Sequence, residues 1–458
     1  MIDYMEHVLR SFEQCTGWNR DNSYENVTAT SENLLSFRVP SGVKFQVSNK
    51  STPNTFTTFE LSNNKVINGS LAYLYTNCQG LENYVSNSRD ILLQEASETY
   101  RQIRPLYPCH SLRSSSDGAK EFGPSSLWYG RMYYPTSTLE AMVVSRSSAQ
   151  TQFVAKCISS LANASVLTLY WQKDSGQNCQ EWVASTNEGL LGYRILHNFV
   201  GSQSKLNTSL YNDSSLSVGG ELWFGVLNTT PACSTTLRYC THSANTGKPL
   251  TLTLSWNPLF GHVSSTYSVK TSSGATFSSK YDFNLYSIES NLSFGCDLWR
   301  RGHTKQLDQR RTEPLDAPNT NSSVFSKERV QKKQGPKEDS PMFYHLMAGS
   351  TSSQKLIEDL NVTFASSLQK LTKEKSTIQR FENSLIDANF ASVWKLSTSL
   401  RHKNLRVLWE GKYKGFLISA GAEFTGAPLE LPSNLAGESK TPALIRPGKF
   451  GIQLQYST

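Results

Sequence analysis

The chain has 458 residues, of which 18% are charged, with a net charge of +8. Ordinary soluble domains carry roughly 25% charged residues, and here Ser, Thr and Asn fill the gap. The basic residues are dispersed and no RNA- or DNA-binding motif occurs, which argues against a nucleic-acid partner. No apolar run reaches the roughly 18 residues that a transmembrane helix needs, a test that does not detect the strands of a membrane barrel.

In chain order, Tyr4, Met5, Val8, Leu9 and Phe12 recur at three and four residues, which predicts an amphipathic helix within residues 1–20. The same segment carries acids and has neither an apolar stretch nor an Arg-rich presequence, so it signals neither secretion nor matrix import. Strands are predicted from near Phe37, with Val43, Phe45 and Val47 alternating before a turn at Pro53-Asn54. In NGSLAYLYTN, Tyr73 and Tyr75 share one face with Leu71, while Ala72 and Leu74 occupy the other. A strand that is apolar on both faces implies either an inner side packed on the helix or an outer side meeting a partner rather than lipid.

Residues 80–125 read as a long connection with a helical piece around Ile91 to Tyr100. The strand pattern resumes at Leu127-Trp128-Tyr129 and continues through a hairpin turning at Asp174-Ser175-Gly176. Four consecutive amphipathic strands follow. Leu250, Leu252, Leu254 and Trp256 alternate with Ser and Thr, as do Val263, Tyr267 and Val269; then come Phe277, Tyr281 and Phe283, and finally Leu292, Phe294, Cys296 and Leu298. A polar, basic and disordered loop is predicted over 300–352, and a helical insertion over 353–386 from Leu356, Leu360, Phe364, Leu368 and Leu371. Strands resume at Trp394, and the chain ends on one at 445–458.

One face of these strands is aliphatic and aromatic, the other Ser, Thr, Asn and Lys. A soluble sandwich makes that pattern with a core, and a transmembrane barrel makes it with lipid outside and a wet lumen. Strand lengths of about ten residues favour an all-β transmembrane barrel forming a single domain, with room for roughly eighteen to twenty strands. The eight cysteines show no CxxC and no metal spacing, and read as free thiols. Asn-x-Ser/Thr sequons such as Asn68-Gly69-Ser70 read as unmodified. No HExxH, GxSxG, P-loop or GxGxxG is present, and the histidines are isolated, so neither an enzyme nor a cofactor is expected.

The runs CSTTLRYCTHSANTGKPLTLTLSWNPLFGHVSSTYS and KYDFNLYSIESNLSFGCDLW resemble the fungal mitochondrial distribution and morphology protein 10 family. The likeness extends to STPNTF, ETYRQ, YYPTSTLEAM, TSLYNDSSLS, SVWKLSTSLR, LWEGKYKGFLISAG and the terminal KFGIQLQYST. Departures fall between Arg300 and Ser352, around Cys109 to Gly123 and between Phe424 and Pro442. The resemblance implies a mitochondrial channel-type barrel of about nineteen strands in the outer membrane. In such barrels the N-terminal helix lies in the lumen, which is the placement expected here, whereas the residues alone also allow a helix over one rim.

The resemblance further implies a non-catalytic protein with two associations at ER–mitochondria contact sites. One is with subunits of the ER–mitochondria encounter structure, a lipid-transfer tether. The other is with subunits of the sorting and assembly machinery, where it assists biogenesis of import-channel barrels. Lys449-x-Gly451-x-x-Leu454-x-Tyr456 matches the β-signal by which outer-membrane barrels are recognised and inserted, an amphipathic strand able to pair with an exposed edge. The aromatic pairs Tyr73/Tyr75 and Tyr281/Phe283 are candidate partner anchors on the tether side and the assembly-machinery side respectively. As single residues they fit a lipid-facing girdle equally well. The rival functions are a metabolite- or ion-conducting pore and a soluble all-β binding protein.

Overall fold

The computed structural model describes residues 1–64, 66–98, 106, 124–160, 165–199, 214–242, 248–272, 274–302, 390–427 and 444–458. The predicted loop at 300–352, beyond its first residues, and the helical insertion at 353–386 lie outside them. Helix α1 (Tyr4–Cys15) is followed by α2 (Ala29–Leu35) and the strands β1 (Gly42–Thr52), β2 (Thr55–Asn64) and β3 (Val66–Thr76). One helical turn, α3 (Leu93–Ala96), then precedes β4 (Ser125–Tyr134), β5 (Leu139–Ser148), β6 (Thr151–Ser159), β7 (Val166–Asp174), β8 (Asn178–Ser185) and β9 (Leu190–Phe199). Next come β10 (Ser215–Gly225), β11 (Thr230–His242), β12 (Pro249–Asn257), β13 (His262–Ser272), β14 (Ala275–Asn284) and β15 (Glu289–Arg301). The last four are β16 (Phe390–Ser399), β17 (Asn404–Tyr413), β18 (Phe416–Ala427) and β19 (Leu444–Ser457).

Each strand pairs antiparallel with its neighbour in sequence, and β1 pairs with β19, closing a 19-stranded barrel. An odd number of alternating strands leaves the first and last pointing the same way. The closing pair is therefore parallel, in register from Gly42↔Gly451 to Ser48↔Ser457. Among the described residues no helix is long and apolar enough to cross a membrane.

The side-chain alternation read from the sequence sorts the wall into two faces. Phe59, Leu71, Tyr73, Trp128, Leu254 and Trp394 stand exposed on the outside. The intervening residues face the lumen, where Thr58, Thr253, Thr266, Ser268 and Ser278 are buried. A soluble protein rarely exposes so continuous an apolar surface, so the closed ring with an apolar exterior decides for the membrane barrel over the sandwich.

The lumen is partly occupied by the chain itself. Asp3 caps α1 by accepting from the Met5 amide, Glu6 complements its first turn, and Gly17 at φ +69° ends it. Its stripe of Tyr4, Met5, Val8 and Phe12 packs on the inward Phe56 of β2, Ala72 and Leu74 of β3, Leu127 of β4, Val144 of β5 and Val154 of β6. Of the two explanations for a β3 apolar on both sides, the helix contact accounts for the inner one.

Beyond α1 the chain follows the inner wall around the ring. Asn22 donates to Asp174 at 2.7 Å, and the Tyr24 hydroxyl lies 2.6 Å from Ser234 Oγ on β11. Arg238 donates to the Val27 carbonyl at 3.1 Å. α2 then packs against β13–β16, with Ser397 Oγ donating to the Leu35 carbonyl at 2.5 Å.

Glycines on the wall make room for this track. A Cβ on Gly295 would meet the Leu34 carbonyl oxygen at 2.6 Å, and one on Gly451 would meet those of Pro40 and Gly42 at the same distance. The segment 77–97 crosses back over the other half of the ring. Ser88 exchanges hydrogen bonds with Ser457, Lys412 donates to the Arg89 and Ile91 carbonyls, and Leu93 packs with Trp299, Phe390 and Val393.

Two local readings change. Strands begin at Gly42 rather than near Phe37, and residues 29–35 before them form α2, whose roughly two turns are too short to show a period. The helical piece expected over Ile91 to Tyr100 shrinks to Leu93–Ala96 among the described residues. Asp297 faces the lumen, where it is buried and accepts from Trp299 Nε1 at 2.9 Å. Cys233 and Cys240 both lie on β11, seven positions apart and so on opposite faces, which rules out a bridge between them.

Candidate functional site: outer wall, seam and filled lumen

Tyr73 and Tyr75 project from the outer face of β3, 51% and 41% exposed. Tyr73 is paired with Thr57 on β2 and Gly130 on β4, so small neighbours leave its ring standing above the wall. Tyr281 is similarly exposed on β14 and paired with Ser265 on β13 and Leu292 on β15, while Phe283 beside it is half-buried. The pairs are separated by β4–β13 in one direction and by β15–β19, β1 and β2 in the other, which puts them on nearly opposite sides of the ring.

Reading the sequence missed a third exterior aromatic group. Phe153, Trp171, Trp182 and Tyr193 stand directly opposite one another across β6–β9, and the Trp182 and Tyr193 rings are 4.5 Å apart. No strand alone shows more than one member of this row. The row emerges when cross-strand register is known, and it has the form of an interfacial girdle.

The four β-signal residues fall on β19. Lys449 faces inward and pairs with Glu423 of β18 at 3.8 Å. Gly451 sits opposite Gly42 at the parallel seam, where the Pro40–Gly42 backbone occupies the space a side chain would need. Leu454 points outward between Ile418 and Phe45, and the Tyr456 ring lies 5.1 Å from Phe416. The motif therefore alternates an inward cation and glycine with two outward apolar groups, and the glycine has a packing reason of its own.

Inside, polar contacts secure the filling segments. Asp3 pairs with Arg131 of β4 and accepts from Gln46 of β1 at 2.5 Å. Lys395 and Glu410, both fully buried, pair at 2.5 Å, and Ser97 donates to the same carboxylate at 2.8 Å. On α1, burial pushes the His7 imidazole down to about 4, with Arg10 adding to the effect. The neutral ring accepts from the Ser86 amide at 3.3 Å. Burial likewise raises the Glu13 carboxyl to about 7, opposed by Arg20 at 3.7 Å.

A chamber of about 890 Å³ remains beside α1, lined by charged groups that include Arg10, Arg38, Lys44, Glu60, Arg131 and Lys156. Among the described residues no cluster of His, Cys, Asp and Glu could hold a metal ion.

The profile of the family described as Mitochondrial distribution and morphology protein 10 matches residues 1–458. The chain belongs to that family. Proteins of this name from Kluyveromyces lactis, Zygosaccharomyces rouxii and Saccharomyces cerevisiae are 51%, 50% and 50% identical to it, each over the whole of both chains. The family is a mitochondrial one, and its name supports a role in the organelle's morphology. A full-length match means that the barrel wall, the filling segments and the β19 motif all fall within the compared region.

Proposed function

We propose that the chain is a non-catalytic barrel of the mitochondrial outer membrane that anchors the ER–mitochondria encounter structure. In a second association it joins the sorting and assembly machinery and assists biogenesis of import-channel barrels. The observation that carries this reading is a lumen partly occupied by the protein's own N-terminal segment, in a chain that matches a morphology family over residues 1–458. Such a barrel offers its outer wall and its connections, rather than a passage, for use.

Tyr73 and Tyr75 would hold the tether and Tyr281 and Phe283 the assembly machinery. Tyr and Phe bury large areas at small entropic cost, and the two pairs stand far apart on the ring. The test is native co-isolation of partners from solubilised mitochondria with Tyr73→Ala/Tyr75→Ala against Tyr281→Ala/Phe283→Ala. Loss of a different partner by each, at equal barrel abundance, is the expected result. Retention of every partner by both would make these rings girdle residues and move the binding sites to the connections.

The charged chamber favours one rival, an ion- or metabolite-conducting pore. Planar-bilayer recording separates the two readings: a persistently open, selective conductance of the purified chain would decide for the pore.

A further inference from the structure

Cys15, in the last turn of α1, and Cys78, two residues beyond β3, place their Sγ atoms 3.3 Å apart although 63 positions separate them in the chain. Both are free thiols. They belong to the two separate segments that fill the lumen, α1 and the 77–97 crossing. The contact is positioned from both sides. Phe12 anchors the end of α1 in the apolar cluster that includes Leu74, and the Cys78 amide donates to Thr76 Oγ1 at 3.1 Å, which holds the first residues after β3. Cys15 is half-buried, whereas Cys78 lies inside the apolar cluster that surrounds Phe12.

We infer that Cys15 and Cys78 are a disulfide modification site, at which oxidation locks α1 to the 77–97 crossing and fixes the filling of the lumen. The oxidant is a low-molecular-weight or protein disulfide acting by exchange. The Cys15 thiolate, the more accessible, attacks one sulfur of RS–SR, forming Cys15–S–SR and releasing RS⁻. Cys78, after losing its proton, attacks Cys15 Sγ, expels the second RS⁻ and completes the Cys15–Cys78 bond. The two cysteine thiols lose two electrons and two protons, and RS–SR gains both to become two RSH.

Burial and the hydrogen bond with Cys15 push the Cys78 thiol up to about 12. Cys78 is thereby kept from attacking first, and part of that restraint is removed once Cys15 is engaged. Bridging needs the sulfurs to close from contact to bond length, which rotation about the Cys15 side chain at a helix end supplies.

The experiment uses the full chain in lipid nanodiscs, equilibrated in glutathione buffers of increasing oxidised fraction and then trapped with a maleimide. The expected product is a peptide pair linked through Cys15 and Cys78, absent from Cys15→Ser and Cys78→Ser and retained in Cys157→Ser. Hydrogen exchange at α1 amides should slow at least tenfold on oxidation of the parent chain, and remain unchanged by oxidant in Cys15→Ser. A Cys15 that stops at the glutathione adduct, or two thiols that remain alkylatable at full oxidation, would overturn the site. A bridge that forms without slowing exchange would overturn the lock. Far-ultraviolet circular dichroism of each variant, showing the barrel intact, keeps a folding defect from passing for either result.

Discussion

Gly295→Ala probes the N-terminal track directly. The new methyl carbon would lie 2.6 Å from the Leu34 carbonyl oxygen and 3.0 Å from its carbon, so α2 must retreat by about 1 Å to restore ordinary contact. Leu34 and Leu35 are 3% and 7% exposed, and each buried leucine contributes about 1.5–3 kcal/mol. Breaking the bond from Ser397 Oγ to the Leu35 carbonyl adds about 1 kcal/mol, which sets a ceiling of about 4–7 kcal/mol for full release.

Partial retreat should forfeit about half of this, roughly 2–3 kcal/mol, a 30- to 150-fold increase in local opening. Hydrogen exchange of peptides covering residues 29–35, in nanodiscs, measures that ratio. Gly130→Ala is the control, since a Cβ there meets nothing closer than 3.9 Å. Equal protection of α2 in the two variants would refute the claim that it is seated on the wall at Gly295.

The docking of α1 should depend on pH in two opposed ways. The Glu13 carboxyl is raised, so its contribution is fully present below its unfolded value of 4.5 and is lost as pH climbs through about 7. Glu13→Gln should remove that loss, protecting α1 by about 3 kcal/mol at pH 8 relative to the parent once intrinsic exchange rates are divided out. His7 is depressed, so its neutral form supports docking above 6.5, and that support declines as pH falls from 6.5 towards about 4. His7→Gln should flatten the acid limb, and an unchanged profile would exclude His7 as its source. Phe12→Ala, at a fully buried position, should weaken α1 docking by about 3–5 kcal/mol, whereas Phe59→Ala, 51% exposed on the outer face, should leave α1 exchange unaltered. Gly451→Ala should reduce the fraction of heat-modifiable, closed barrel on gels, because its methyl group collides with the Pro40 and Gly42 carbonyls at 2.6 Å.

The sequence by itself determined the two faces of the wall. Alternation in segments such as Leu250–Trp256 and Leu216–Phe224 forces apolar side chains to one side, because strand side chains have a period of two. It likewise determined α1, through the spacing of Tyr4, Val8 and Phe12, and the amphipathic last strand with Lys449, Gly451, Leu454 and Tyr456. The exact strand count was beyond it. Local pattern is the same in a ring of any number of strands, and only the parallel β1–β19 register shows that the count is odd.

Tertiary structure also decided what fills the lumen. Residues 16–41 and 77–97 carry no long period, and they hold to the wall through scattered contacts such as Tyr24 with Ser234 and Ser88 with Ser457, made by residues far apart in the chain. For the same reason the aromatic row Phe153–Trp171–Trp182–Tyr193 and the Cys15–Cys78 contact escape a linear reading. Each is created by register or by chain crossing, and a single strand records neither.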